Sequence, residues 1–265
     1  MTSIYKQKEP QVMGIINITS DSFYADSRCE TKEAILSKVN QFLSEGASIF
    51  DLGACSTRPG SAPVSEEEEM ARMEFALKVI RETHPDICLS VDTFRASVAR
   101  MAGKEYNVQI INDVYGCDPK MAETVAELGC TYVYMHATEV DSSSPNELIR
   151  KIFTFFAEGI QSLQEKGVRD IIIDPGFGFG KTMDQNFELL ALTHELKALN
   201  RPILVGISRK RMIWQTLDIT PEDALNGTTV LNTMALSQGA DILRVHDVKE
   251  AKQCIDLFDR YNIKV

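Results

Sequence analysis

Residues 170–182 read DIIIDPGFGFGKT. Three isoleucines closed by Asp174 form a short, nearly continuous apolar run, as expected of a strand buried on both faces of a parallel sheet. The glycine-rich turn behind it fits neither common nucleotide rule. A P-loop has four residues between its first Gly and Gly-Lys-Ser/Thr. Here only Phe177, Gly178 and Phe179 separate Gly176 from Gly180, Lys181 and Thr182, and Pro175 stands where the first Gly belongs. The dinucleotide fingerprint fails too, because the run is G-x-G-x-G. The open doubly wound sheet that would carry such a fingerprint is therefore disfavoured.

Seven more runs of the same kind share the chain: QVMGIINIT from 11, ASIFDLGA from 47, ICLSVDT from 87, QIINDV from 109, TYVYMH from 131, PILVGIS from 202 and ADILRVHD from 240. Amphipathic stretches lie between them. In residues 31–47, Ile35, Val39 and Phe42 share one helical face, and Gly46 ends the helix. In residues 220–240, Thr220 is the expected N-cap, Pro221 the first helical residue and Gly239 the stop. Eight strand–helix units predict an α/β fold, a (β/α)8 TIM barrel, as a single domain over residues 1–265. No linker, low-complexity tract or charge block divides the chain.

The 265 residues are 44% hydrophobic, enough for one large core, and 28 Lys and Arg against 38 Asp and Glu leave a net charge of −10. That acidic balance argues against nucleic-acid and anionic-membrane partners. Small-molecule substrates remain, because a few local cations can focus a cleft. The six cysteines, at 29, 55, 88, 117, 130 and 254, have no CxxC spacing and no zinc-like cluster. They read as reduced thiols of a cytoplasmic protein. The N-terminal segment has neither a secretory pattern nor a membrane-length apolar run.

In such barrels chemistry sits at the C-terminal ends of the strands. The expected ends are polar: Asn17, Thr19 and Asp21; Asp51; Ser90, Asp92 and Thr93; Asn112 and Asp113; His136; Asp174; Ser208, Arg209 and Lys210; Arg244, His246 and Asp247. Thr93, Asp113 and Asp247 are also plausible helix caps. Asp92, Asn112 and Asp174 suit a flat heterocycle with several N–H donors, such as a pterin or a guanine-like ring. Arg58, Lys210, Arg244 and His246 suit an anion.

Taken in order, MGIINITSDSF, STRPG, SVDT, INDV, MH, DPGFGFGK, GISRK and RVHDV resemble the dihydropteroate synthase family over residues 11–258. The resemblance implies joining p-aminobenzoate to 6-hydroxymethyl-7,8-dihydropterin pyrophosphate, with release of pyrophosphate and use of magnesium. It implies Asn17 as the magnesium and pyrophosphate contact, and Asp92, Asn112 and Asp174 as pterin ligands. Met135, Phe179 and Gly206 would line the pterin slot, and Lys210 would bridge it to the aminobenzoate site. That site would use Phe23, Thr57 and Pro59. Arg244 would stack on the pterin and bind the anion with His246, while Arg58 would lie in the second loop. Asp92, Lys210, Arg244 and Arg58 are the residues expected to carry the reaction. The chain departs from the family pattern at Ser20, at Ala25–Ser27, and at Ala54 and Cys55.

No covalent intermediate is required, so no Ser or Cys nucleophile is expected. His136 reads as a structural hydrogen bonder, Lys181 as a loop charge, and Glu66–Glu69 as a helix N-terminus. The apolar faces of the 224–240 helix, together with the family habit, imply a homodimer. Two other function classes fit part of the pattern. A methyltetrahydrofolate-dependent methyltransferase would not need STRPG or the Arg244–His246 pair, and a silent pterin-binding paralogue would release no pyrophosphate.

Overall fold

A computed structural model describes residues 9–18, 31–55, 64–115 and 119–261. Its strands are β1 (Gln11–Asn17), β2 (Ile49–Gly53), β3 (Cys88–Asp92), β4 (Ile110–Asp113), β5 (Thr131–Met135), β6 (Ile171–Asp174), β7 (Leu204–Val205) and β8 (Ile242–Val245). They form one parallel sheet in the order β6-β5-β4-β3-β2-β1-β8-β7. A single parallel bridge, Ile173 to Ile203, brings β6 against β7 and closes the ring. The helices are α1 (Lys32–Glu45), α2 (Glu66–Thr83), α3 (Ala96–Tyr106), α4 (Pro119–Leu128), α5 (Pro145–Glu165), α6 (Met183–Ala191), α7 (Arg211–Leu217), α8 (Leu225–Ser237) and α9 (Val248–Tyr261). A 3₁₀ helix, Thr193–Leu199, follows α6. This is the expected eight-fold barrel.

Side-chain alternation divides each strand between two cores. One residue per strand plugs the barrel floor: Met13, Ile49, Ile110, Val133, Ile172, Leu204 and Ile242, with Cys88 packed against them. The alternate residues, such as Phe50, Leu52, Leu89, Val91, Tyr132, Ile173, Val205 and Leu243, join the larger core beneath the helices. Burying an apolar side chain of this size contributes about 1.5–3 kcal/mol, so this outer layer dominates the fold. Gly14 shows how closely it packs, since a Cβ there would stand 2.5 Å from the Phe42 ring of α1.

Local signals place most helices. The Thr31 side chain accepts from the Ala34 amide, α1 buries Ile35, Val39 and Phe42, and Gly46 leaves it at φ 95°. Thr182 and Gln185 form a reciprocal capping box on α6. One expectation fails. Thr220 and Pro221 open a turn instead of a helix: the Thr220 carbonyl accepts from the Asp223 amide and its hydroxyl donates to Asp223 Oδ2. α8 begins at Leu225, with Ala224 as its N-cap. Gly239, at φ 85°, does follow the end of that helix.

Candidate active site

The site lies two residues above the barrel floor. Stepping by two from Ile49, Ile110, Val133, Ile172, Leu204 and Ile242 reaches Asp51, Asn112, Met135, Asp174, Gly206 and Arg244, all on the inward face. Ser90 and Asp92 follow Cys88 in the same way, Asn17 ends β1, and His246 follows β8. This parity decides which strand-end residues enter the mouth. Asp113 and His136 have the opposite parity and serve the structure outside it. Asp113 accepts from the Tyr132 hydroxyl at 2.8 Å and from the Tyr115 amide at 3.0 Å. Thr93 likewise accepts from the Arg95 amide and donates to Glu69.

Asp51 is the centre of a buried network. Its Oδ1 accepts the Ser90 hydroxyl at 2.5 Å, and its Oδ2 accepts Asn112 Nδ2 at 3.1 Å and Arg244 Nε at 2.7 Å. Arg244 Nη2 reaches Asp92 Oδ2 at 2.7 Å. The guanidinium expected to face ring and anion is thus docked on two carboxylates, with 20% of its side chain exposed. Those carboxylates hold it firmly charged. Burial outweighs Arg244 at Asp92 and raises its carboxyl to about 7.

Asp174 accepts the Gly176 amide through Oδ1 at 2.8 Å, which leaves Oδ2 for the mouth. Burial raises its pKa against the pull of Lys210. Lys210 donates to the Phe177 carbonyl, and its ammonium lies 4.8 Å from the centre of the Phe179 ring. Burial lowers its pKa to about 8. Gly206 leaves open the space beside Arg244. His246 Nδ1 is 3.0 Å from Ser208 Oγ. Asp92, Asn112, Met135, Asp174, Phe179, Gly206, Lys210, Arg244 and His246 are therefore brought together at the barrel mouth. Phe23, Thr57, Arg58 and Pro59 lie outside the described residues, as do Ser20, Ala25–Ser27 and Cys117.

Two charges play parts that the sequence reading missed. Lys181 is no free loop charge. Its ammonium donates to the carbonyls of His136 (3.0 Å), Gly176 (3.1 Å) and Phe179 (2.9 Å), and stands 3.1 Å from His136 Nδ1. Burial lowers Lys181 to about 7, and burial with the Lys181 charge lowers His136 to about 4, so His136 is a neutral structural partner. Gly176 is required beside it, since its φ is 72° and a Cβ would fall 2.0 Å from the His136 carbonyl oxygen. Glu69 differs from the other acids at the start of α2. It is fully buried and pairs with Arg95, which also donates to the Val64 carbonyl. Cys55 lies beside this pair, and burial raises its thiol to about 12, as expected of a packing residue.

Residues 13–246 match the model of the pterin binding enzyme family. The chain is 37% identical to dihydropteroate synthase of Bacillus subtilis, over 96% of this chain and 89% of that one. It is 36% identical to the Escherichia coli K12 enzyme, over 93% and 89%. The chain belongs to the dihydropteroate synthase family. Its fold agrees with that of the Yersinia pestis dihydropteroate synthase solved with a sulfonamide drug complex (TM-score 0.89, 35% identity, 98% of both chains). It agrees as well with a dihydropteroate synthase from Coxiella burnetii in complex with pteroic acid (TM-score 0.87, 33% identity, 96% of this chain and 94% of that one). Within the family fold, this chain brings Asp92, Asn112 and Asp174 from β3, β4 and β6 into one mouth with Arg244 of β8 and Lys210 of the turn after β7.

Proposed function

We propose that the chain is a transferase of folate biosynthesis: it condenses 6-hydroxymethyl-7,8-dihydropterin pyrophosphate with p-aminobenzoate, giving 7,8-dihydropteroate and pyrophosphate. The observation that carries the reading is the inward grouping of Asp92, Asn112 and Asp174 above the barrel floor, with Lys210 and Arg244 among them. Asp174 Oδ2 and Asp92 would accept the ring N–H donors. Met135, Phe179 and Gly206 would bound the ring's faces, and Lys210 would stand between the ring and the second substrate. As the C–O bond to pyrophosphate breaks, positive charge develops on the pterin methylene, and Asp92 and Asp174 are placed to stabilise it. The aniline nitrogen of p-aminobenzoate then attacks that carbon and loses its proton. Phe23, Thr57 and Pro59 are proposed for the aminobenzoate pocket, and Arg58 and His246 for the leaving anion.

Magnesium is proposed at Asn17. The Asn17 amide oxygen lies beside Gly53, 3.5 Å from where a Cβ would stand, and an amide oxygen is a donor of the hard type that magnesium takes. Among the described residues no group of three His, Cys, Asp or Glu could hold a metal; phosphate oxygens and water are ligands that magnesium accepts. When bound, it supplies neutralisation of pyrophosphate charge.

A homodimer is proposed through α8 and α9, where Val230, Met234, Leu257 and Tyr261 are exposed beside a groove of about 850 Å3. A cytoplasmic location is proposed from the free thiols Cys55, Cys88, Cys130 and Cys254. No helix among the described residues is long and apolar enough to cross a membrane.

Mixing the purified chain with the pterin pyrophosphate, p-aminobenzoate and magnesium tests the activity. Release of pyrophosphate that needs both substrates is expected. Pterin binding without release would replace the reading with a silent pterin binder.

A further inference from the structure

We infer that Asp51 is a positioning residue of the pterin site: from beneath, it orients Asn112 and seats Arg244 without meeting substrate itself. The inference rests on the reading of the barrel mouth as a pterin site. Asp51 is completely buried in the middle of β2, below the rim formed by Asp92. A carboxylate only accepts, so the branch of Asn112 turned toward Asp51 must be its NH2 group. The amide oxygen is then the branch left for a ligand, and Asn112 offers the mouth an acceptor. Without Asp51, either orientation of the amide would serve. The same carboxylate oxygen meets Arg244 Nε and Nη2, each at 2.7 Å, and so holds Nη2 where it also reaches Asp92. One buried charge thus sets groups on β4 and β8, and Ser90 of β3 steadies it. A buried ion pair is a poor way to gain stability alone. Its use here is explained by the orientation that it imposes.

Asp51→Asn and Ser90→Ala are the variants. Calorimetry with 6-hydroxymethylpterin reads pterin affinity, and steady-state kinetics read KM for p-aminobenzoate. Asp51→Asn is expected to weaken pterin binding about 10- to 100-fold, with KM for p-aminobenzoate within about threefold of wild type, since that pocket is proposed on other loops. Ser90→Ala removes one bond to Asp51 and is expected to weaken pterin binding in the same direction, by about threefold to tenfold. A pH series adds a readout that lost packing would not move. Arg244, Asp51, Asp113 and Glu69 are the charged groups acting on Asp92. Arg244 acts on Asp92 more strongly than Asp51 does, so if Asp51→Asn unseats Arg244 the acid limb of pterin binding should move to higher pH, whereas loss of the Asp51 charge with Arg244 still in place would move it to lower pH. A folded Asp51→Asn that binds the pterin within twofold of wild type, or whose acid limb stays in place or moves to lower pH, overturns the inference. If Asp51→Asn does not fold, wild-type affinity in Ser90→Ala overturns it. A wild-type chain that binds no pterin overturns the function itself, and the inference falls with it.

Discussion

Asp174 and Lys210 bring opposite charges into one mouth, from the end of β6 and from the turn after β7. Replacing Asp174 by Asn tests the first. The Gly176 amide occupies Oδ1, so the new side chain would keep its carbonyl there and turn NH2 toward the ring donors. Losing a bond to a charged group costs roughly 1.5–3 kcal/mol, or on the order of 10- to 150-fold in affinity. Pterin titration should show a loss near the upper end, with little change in melting. Asp92 and Lys210 together predict a pH optimum. Pterin binding needs Asp92 ionised and Lys210 protonated, and their pKa values are about 7 and about 8. kcat/KM should therefore be bell-shaped, with limbs near those values, and Asp92→Asn should remove the acid limb. Stability runs the other way on the acid side. The Asp92 pKa is raised in the folded chain, so its contribution is full below the ordinary carboxylate range and is lost as pH rises toward 7.

At the scale of the element, the turn between β6 and α6 is held by Lys181, whose partner His136 lies 45 residues away in sequence. Lys181→Met would leave the His136 and Phe179 carbonyls without their donor, while the Gly176 carbonyl keeps the Phe179 amide. Each buried group left unpaired costs roughly 1–3 kcal/mol, and each kcal/mol moves Tm by about 2–4 °C in a chain of this size. Two such groups cost roughly 2–6 kcal/mol, so a fall in Tm of roughly 4–24 °C is expected from thermal scans, together with weaker pterin binding, because Asp174 rests on the same turn. An unchanged Tm would reduce Lys181 to a surface charge after all. The same turn shows what sequence can and cannot disclose. Its glycines and the Asp before them were legible, because a buried strand followed by a sharp turn has a local signature. The burial of Lys181 was not, because it depends on the loop after β5 folding across it. Thr220 misled for a related reason: Ser, Thr and Pro signal turns and helix starts alike, and only the chain beyond Asp223 decides between them.

Across the whole molecule, the eight strands were readable as apolar runs, and the inward residues as every second position counted from the floor. Asp51 could have been found that way, in step with Ile49. Its pairing with Arg244 could not, because those residues are 193 apart and meet only when the ring closes. The outer surface carries one further expectation. If α8 and α9 bury their exposed apolar residues against a second copy, Met234→Glu with Leu257→Glu should convert a dimer to monomer in sedimentation while leaving the barrel folded. A wild-type monomer at micromolar concentration would remove the proposed interface. The single bridge between Ile173 and Ile203 has a dynamic consequence. β7 is only two residues long, so this is the seam with the fewest bonds to break, and the staves should part there first. Amide hydrogens around Ile173 and Ile203 should exchange with deuterium sooner than those of β1 and β2, which pair over five residues. A pterin gripping Asp174 on one stave and Lys210 beyond the next would act as a hoop, so adding it should slow exchange at the seam more than anywhere else in the sheet.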